Sequence, residues 1–204
     1  MAAASQHATR KFFLWTCSMQ LPQIPQIPQP RRALARSAAA PLPDGATFVG
    51  IALLVMLGDL VTKAMAVGLW SGERYPLLGS HLLIEVVHNP LGAFSTSYGA
   101  HTFEINVIAT LAAALLAMVY CPRLTRFDAL APSGLGLITG AALGNLASMM
   151  TSPGGVPDFL AVAHGQGSVL VLNLADVAAY IGLACCARIA WSVLRAAVAT
   201  ARGH

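Results

Sequence analysis

The sequence predicts an all-α membrane protein: four transmembrane helices with a small extracytoplasmic β element between helices one and two. Three observations carry that reading. Apolar residues fill 56% of the 204 positions and charged residues only 10%, against roughly 25% in an ordinary soluble domain, and mean hydropathy is +0.67. The apolar residues gather into four segments, each close to the roughly 20 residues that cross a bilayer as a helix. The connection between the first two, residues 70–102, is too long for a simple turn. Within it, Leu82-Leu83-Ile84-Glu85-Val86-Val87 has the composition of a strand.

Residues 1–45 differ from the rest. They hold Arg10, Lys11, Arg31, Arg32 and Arg36 and a low-complexity run of Pro, Gln and Ile from Pro22 to Pro30, a composition that favours extended, unpacked chain. The apolar run Phe12–Trp15 is shorter than the roughly 7–15 residues of a signal-peptide core. A disordered basic, Pro-rich cytoplasmic tail is therefore expected over 1–45. The membrane domain follows over 46–197, and a short cytoplasmic tail over 198–204.

The four apolar segments run over about 47–69, 103–120, 133–150 and 169–190. Backbone polar groups in lipid must be paired within the segment, which makes each one a helix. The third carries Gly136, Gly140 and Gly144 at intervals of four, a stripe that lets a neighbouring helix approach closely. Lys and Arg set the orientation. They occupy the N-terminal tail, the connection between helices two and three (Arg123, Arg126) and the C-terminal end (Arg188, Arg195, Arg202). The connection between helices three and four has none, and residues 70–102 have only Arg74. Both termini are thus expected in the cytoplasm of a multi-pass membrane protein.

Composition also excludes partners. A net charge of +4, spread along the chain, is no footprint for nucleic acid. The four cysteines, Cys17, Cys121, Cys185 and Cys186, have no metal-like spacing and read as free thiols. Nor do His88, His101 and His164 have ligand spacing. No metal or other cofactor is expected.

With this topology the costly polar residues converge at one depth, just below the outer surface. Asp59 and Lys63 are spaced i, i+4 in helix one with the acid first, the favourable order for a helical ion pair; their ordinary reading is structural. Asn145 lies near the outer end of helix three. Asn173 and Asp176 lie one turn apart on one face in the outer part of helix four. Asn89 and Asp158 sit on outer connections. Asn145 and Asn173 ordinarily brace backbone or loop groups, and Asp158 alone could be a solvated loop acid. An ionisable residue such as Asp176 within a span, however, points to function. Polar residues kept only to hold helices together should scatter in depth. Two aspartates brought close cannot easily both ionise, so one can act as base while the other keeps its proton.

These residues lie in segments that resemble a known family. Gly58-Asp59-Leu60-Val61-Thr62-Lys63 is similar to the D-x-x-T-K motif of bacterial lipoprotein signal peptidases (signal peptidase II), and Asn89-Pro90-Leu91-Gly92-Ala93-Phe94 to their N-x-G-A-A-F segment. Gly140-Ala141-Ala142-Leu143-Gly144-Asn145 resembles the opening of the third motif. Gly155-Val156-Pro157-Asp158-Phe159 and Asn173-Leu174-Ala175-Asp176 resemble the two segments that carry the family's catalytic aspartates. The five lie in family order over about residues 47–190. Three departures stand out: Ser148 and Met149 replace the usual Asp-Arg, one residue is added before Asp158, and Leu91 stands where Gly is usual.

The resemblance implies an aspartic endopeptidase of the bacterial inner membrane that removes signal peptides from diacylglyceryl-modified prolipoproteins; the chain is expected to work as a monomer in membrane lipid. Asp158 and Asp176 would be catalytic, while Asp59, Lys63, Asn89, Asn145 and Asn173 would orient substrate or dyad. Two alternatives stay open. Ser148 and Met149 allow a catalytically impaired relative that binds lipoproteins, and buried acids also suit a proton-coupled transporter, although four helices without internal repeats suit alternating access poorly.

Overall fold

The computed structural model describes residues 44–79, 81–91, 99–164 and 168–202. The tail before Asp44, Ala93 and Phe94 of the second motif, and Gly165 lie outside the described residues. Four helices dominate: α1 (Asp44–Trp70), α2 (Thr102–Leu124), α3 (Ala131–Thr151) and α4 (Leu174–Arg202). Each is long and apolar enough to cross a membrane. Their outward faces carry Leu54, Ile108 and Trp191, exposed by 73%, 68% and 59%, as suits side chains that meet lipid rather than a core.

Local sequence sets the helix limits. Asp44 opens α1 with a negative charge at the positive end of the helix dipole. Pro132 sits in the first turn of α3, where its missing N–H has no partner to lose. Asp128 turns the chain from α2 into α3 by accepting the Leu130 N–H at 3.0 Å.

Helix α3 is the centre of the bundle and packs against the other three. Lipid supplies no hydrophobic drive between helices, so close approach of backbones does the work. The glycine stripe meets α1, as the sequence predicts. A Cβ on Gly140 would lie 2.4 Å from the Ala52 carbonyl oxygen, and one on Gly136 would lie 2.8 Å from that of Phe48. Gly140→Ala is therefore expected to push α1 off α3. It should lower thermal stability in detergent by about 1–3 kcal/mol, the usual range for overpacking. A melting temperature unchanged from wild type would contradict this contact.

The four-stranded antiparallel sheet has the order β1-β2-β3-β4. Strands β1 (Arg74–Leu78) and β2 (Leu82–Asn89) come from the connection where a β element is predicted. Pro76 is tolerated because β1 is an edge. Strands β3 (Val156–His164) and β4 (Ser168–Leu172) are additional. They correct two sequence readings. Asp158 lies on a strand and is buried, rather than on a solvated loop. Residues 169–172, assigned to the fourth span by hydropathy, are β4, and the helix starts only at Leu174. The apolar run Val169–Leu172 continues into the helix, so hydropathy alone could not separate them.

Candidate active site

Seven side chains singled out in the sequence come from five elements. Asp59 and Lys63 lie on α1, Asn145 on α3, Asn89 at the end of β2 and Asp158 on β3. Asn173 occupies the junction of β4 and α4, and Asp176 the first turn of α4. Asn173 and Asp176 are thus not on one face of a helix: Asn173 precedes it. The Asp176 N–H donates to Asn173 Oδ1 at 2.9 Å, and the Asn173 N–H donates to Asp176 Oδ2 at 3.0 Å. This reciprocal cap satisfies two backbone donors and holds the Asp176 carboxylate at the helix N-terminus. The next donor, the Ala175 N–H, reaches across to Asp59 Oδ1 at 2.9 Å.

The polar side chains form one connected set. Lys63 Nζ donates to Asp59 Oδ2 and to Asn145 Oδ1, both at 2.6 Å. Lysine can only donate, so Asn145 must present its oxygen to Lys63 and its amide nitrogen the other way. That nitrogen donates to Asp176 Oδ1 at 3.3 Å. Asn173 Nδ2 donates to Asn145 Oδ1 at 3.1 Å and to Asp158 Oδ1 at 2.6 Å. Asn173 therefore hydrogen-bonds both Asp158 and Asp176, and Lys63 fixes through Asn145 which way the amides point. The Asn89 side chain also hydrogen-bonds Asp158. Among the described residues no buried side-chain nitrogen or oxygen lacks a partner.

Backbone geometry places Asp158. It pairs with Val87 just beyond an irregularity in β2, and Val156 pairs with Asn89. Such a bulge re-aims the strand beside it. The approach of the chain into β3 requires glycine: Gly155 has φ +98°, and a Cβ there would lie 2.3 Å from the Asn89 carbonyl oxygen.

Three carboxylates share this region with one lysine, and Asp59 holds Lys63 directly. Burial pushes the Asp158 carboxyl up to about 6. The nearby charge of Asp176 adds to that, while the hydrogen bonds from Asn173 and Asn89 and the charge of Lys63 oppose it. One acid of the pair thus stays protonated at a pH where an ordinary aspartate has ionised.

The pair opens onto a cavity of about 550 Å³, whose polar lining is Asn89, Asn145, Asp158, Asn173 and Asp176. Ala141, Tyr180 and Leu183 from α3 and α4, and Leu170, Val171 and Leu172 from β4, supply its apolar walls. Those wall residues escaped the sequence reading, since within apolar runs nothing marks which positions face a cavity. Asp128 escaped it too. It is buried beside the α2–α3 turn and pairs with Arg188 Nε at 2.9 Å and with Ser192 at 3.2 Å. The Leu130 N–H and the Arg188 guanidinium hold its carboxyl below the usual aspartate range. It ties α4 to the α2–α3 turn. Among the described residues no three metal-ligating side chains converge.

The altered positions of the third motif are also placed. Ser148 is buried, and its hydroxyl donates to the Gly144 carbonyl at 3.0 Å. Met149 lines a side cavity of about 70 Å³ that borders Asn145.

Comparison with known proteins agrees with this architecture. The family model for Signal peptidase (SPase) II matches residues 51–192. A lipoprotein signal peptidase of Teredinibacter turnerae is 32% identical over 139 residues, covering 67% of this chain and 82% of the relative. That of Moorella thermoacetica is 32% identical over 137 residues, covering 67% and 87%. That of Mycolicibacterium smegmatis is 31% identical over 146 residues, and the match covers 70% of this chain and 60% of that longer protein. Two solved bacterial membrane enzymes share the fold, each with a TM-score of 0.59, at 21% and 22% identity. Both matches cover 69% of this chain, and 85% and 90% of the solved chains. A multi-pass bacterial membrane protein, this chain belongs to the signal peptidase II family of membrane proteases.

Proposed function

We propose that the protein is an aspartic endopeptidase that removes signal peptides from diacylglyceryl-modified prolipoproteins, with Asp158 and Asp176 as its catalytic pair. The observation that carries this reading is the geometry of the pair. Two carboxylates from different elements each accept a hydrogen bond from Asn173, Asp158 from its side-chain amide and Asp176 from its backbone N–H, and both line one largely apolar cavity. Asp158 keeps its proton up to about pH 6, as acid–base work by a pair requires. The ionised partner takes a proton from water, whose oxygen bonds to the scissile carbonyl carbon. The protonated partner hydrogen-bonds the carbonyl oxygen, and as the C–N bond breaks a proton passes to the leaving amine. Asp59, Lys63, Asn89, Asn145 and Asn173 hold the acids in place.

The reading is tested by incubating purified protein with lipidated prolipoprotein and following the signal peptide on a gel. Release of the signal peptide is expected. Recovery of intact prolipoprotein, still bound to the protein, would favour the alternative of a lipoprotein-binding relative, which Ser148 and Met149 motivate. Against that alternative, the hydrogen-bond network from Lys63 to Asp158 closes without an acid or arginine at those two positions.

We place both termini in the cytoplasm and the acid pair near the outer surface of the inner membrane. The sheet and the pair lie at one end of the bundle, while Arg123, Arg126 and Arg188 cluster at the turn between α2 and α3. On a cysteine-free background, Gly165→Cys should label with a membrane-impermeant maleimide added outside the cell, and Thr125→Cys should not. The reverse pattern would move the site to the cytoplasmic side.

A further inference from the structure

We propose that the outer edge of β4 binds the substrate as an added β-strand, with the backbone groups of Val169 and Val171 holding the segment that leads to the scissile bond. This rests on the peptidase reading above and adds how the peptide is held.

Strand β4 ends the sheet, and among the described residues no strand pairs with its far side. The register decides which of its backbone groups are free. The Ala163 N–H donates to the His81 carbonyl at 2.9 Å, so Ala163 directs its backbone groups toward β2. By the two-residue period of a strand, Ala161 does the same. Ala161 and Ala163 are the residues opposite Val171 and Val169. These two pairs are therefore the non-hydrogen-bonded pairs of the β3–β4 ladder, and both members direct their N–H and C=O groups away from each other. Val169 and Val171 thus offer theirs to the open edge.

The same alternation continues to the acids. Two residues after Val171, the Asn173 N–H points to that side and donates to Asp176 Oδ2 at 3.0 Å. The row Val169, Val171, Asn173 therefore runs along the open edge straight into the catalytic pair. Leu170, Val171 and Leu172 line the cavity that holds Asp158 and Asp176, so the edge and the acids share one space.

Two physical arguments select an extended peptide as the occupant. A helix buries its carbonyls in i→i−4 hydrogen bonds, so the bond to be cut must first be presented in extended form. An open strand edge near a bilayer also leaves backbone groups unpaired, at a cost that an added strand removes. Strand addition supplies main-chain hydrogen bonds without regard to sequence, leaving selection to the side-chain pockets.

Two measurements test this. Val171→Ala, which keeps the outward N–H, controls for the side chain that lines the cavity; Val171→Pro deletes that N–H, and Pro is tolerated where a strand's N–H faces away from the ladder. Its melting temperature should match wild type, while kcat/KM on lipidated prolipoprotein falls about tenfold, the usual effect of one lost hydrogen bond. The second measurement leaves the protein untouched. Amide-to-ester replacement is scanned through the backbone of a synthetic lipidated substrate peptide. Cleavage should weaken at alternate positions on one side of the scissile bond and hold at those between. The proposal is overturned if wild type cleaves, the ester scan shows no alternation, and Val171→Pro is folded and fully active. It is equally overturned if Val171→Pro changes only the oligomeric size in detergent, which would make the edge a contact between copies. Failure of wild type to cleave at all counts against the peptidase reading itself.

Discussion

Asp158→Asn and Asp176→Asn are each expected to reduce cleavage of lipidated prolipoprotein by at least about 10²–10⁴-fold, the value of acid–base assistance. Asparagine keeps the shape of aspartate and one acceptor, but it can neither take a proton from water nor give one to the leaving amine. The two variants differ in their side effects. At position 158 the amide oxygen can still accept from Asn173 Nδ2, so the fold should be undisturbed. At position 176 the carboxylate accepts both Asn145 Nδ2 and the Asn173 N–H. An amide there turns one acceptor into a donor and weakens the α4 cap. Asp158→Asn is thus the cleaner test. Near-normal cleavage by that variant, at wild-type membrane expression, would remove Asp158 from the chemistry.

Asp59→Leu is expected to give the largest loss of stability, about 3–5 kcal/mol, because it leaves a buried lysine without its partner. Lys63 and Asp59 are both nearly inaccessible, and the same change strips the Ala175 N–H of its acceptor. Adding Lys63→Met removes the stranded charge, and thermal melts in detergent should recover most of the loss. Cleavage should stay low in the double variant, because Asn145 Oδ1 then loses its closer donor and only Asn173 Nδ2, at 3.1 Å, still holds its amide toward Asp176. A double variant that recovered both stability and activity would make the pair a structural ion pair and no more.

Much of this site is legible in the sequence because charge in an apolar chain is costly. Eight acidic residues in 204 leave few places to look, and Asp59, Lys63, Asn145 and Asp176 interrupt segments that otherwise read as lipid-facing helix. Their convergence in depth follows from spacing along predicted spans, and the structure joins them through Asn145 and Asn173. The glycine stripe of α3 is legible for the same reason, since its spacing of four matches one helical face.

Strands β3 and β4 were not legible. Val156–His164 lies between two spans and contains Pro157, which demotes a strand reading. Val169–Leu172 merges with the helix that follows. The missed strands decide the environment of Asp158. Position alone makes it a loop acid in water, but pairing with Val87 and the bond from Asn173 bury it. Asp128 was invisible for a related reason: its partners, Arg188 and Ser192, lie about sixty residues away, and no local pattern announces them.

The most direct test of the acid pair is the pH dependence of kcat/KM for wild type on lipidated prolipoprotein, which reports the free enzyme. The sign follows from Asp158. Burial raises its carboxyl to about 6, so below that pH the pair holds the proton needed to assist the carbonyl and the leaving amine. Above it Asp158 gives up that proton. The expected profile therefore falls with rising pH, with an apparent pKa near 6 and a slope of one proton, the value belonging to the coupled pair. A profile that is flat from about pH 5 to 8, or that rises through this range, would contradict a protonated aspartate as the working acid.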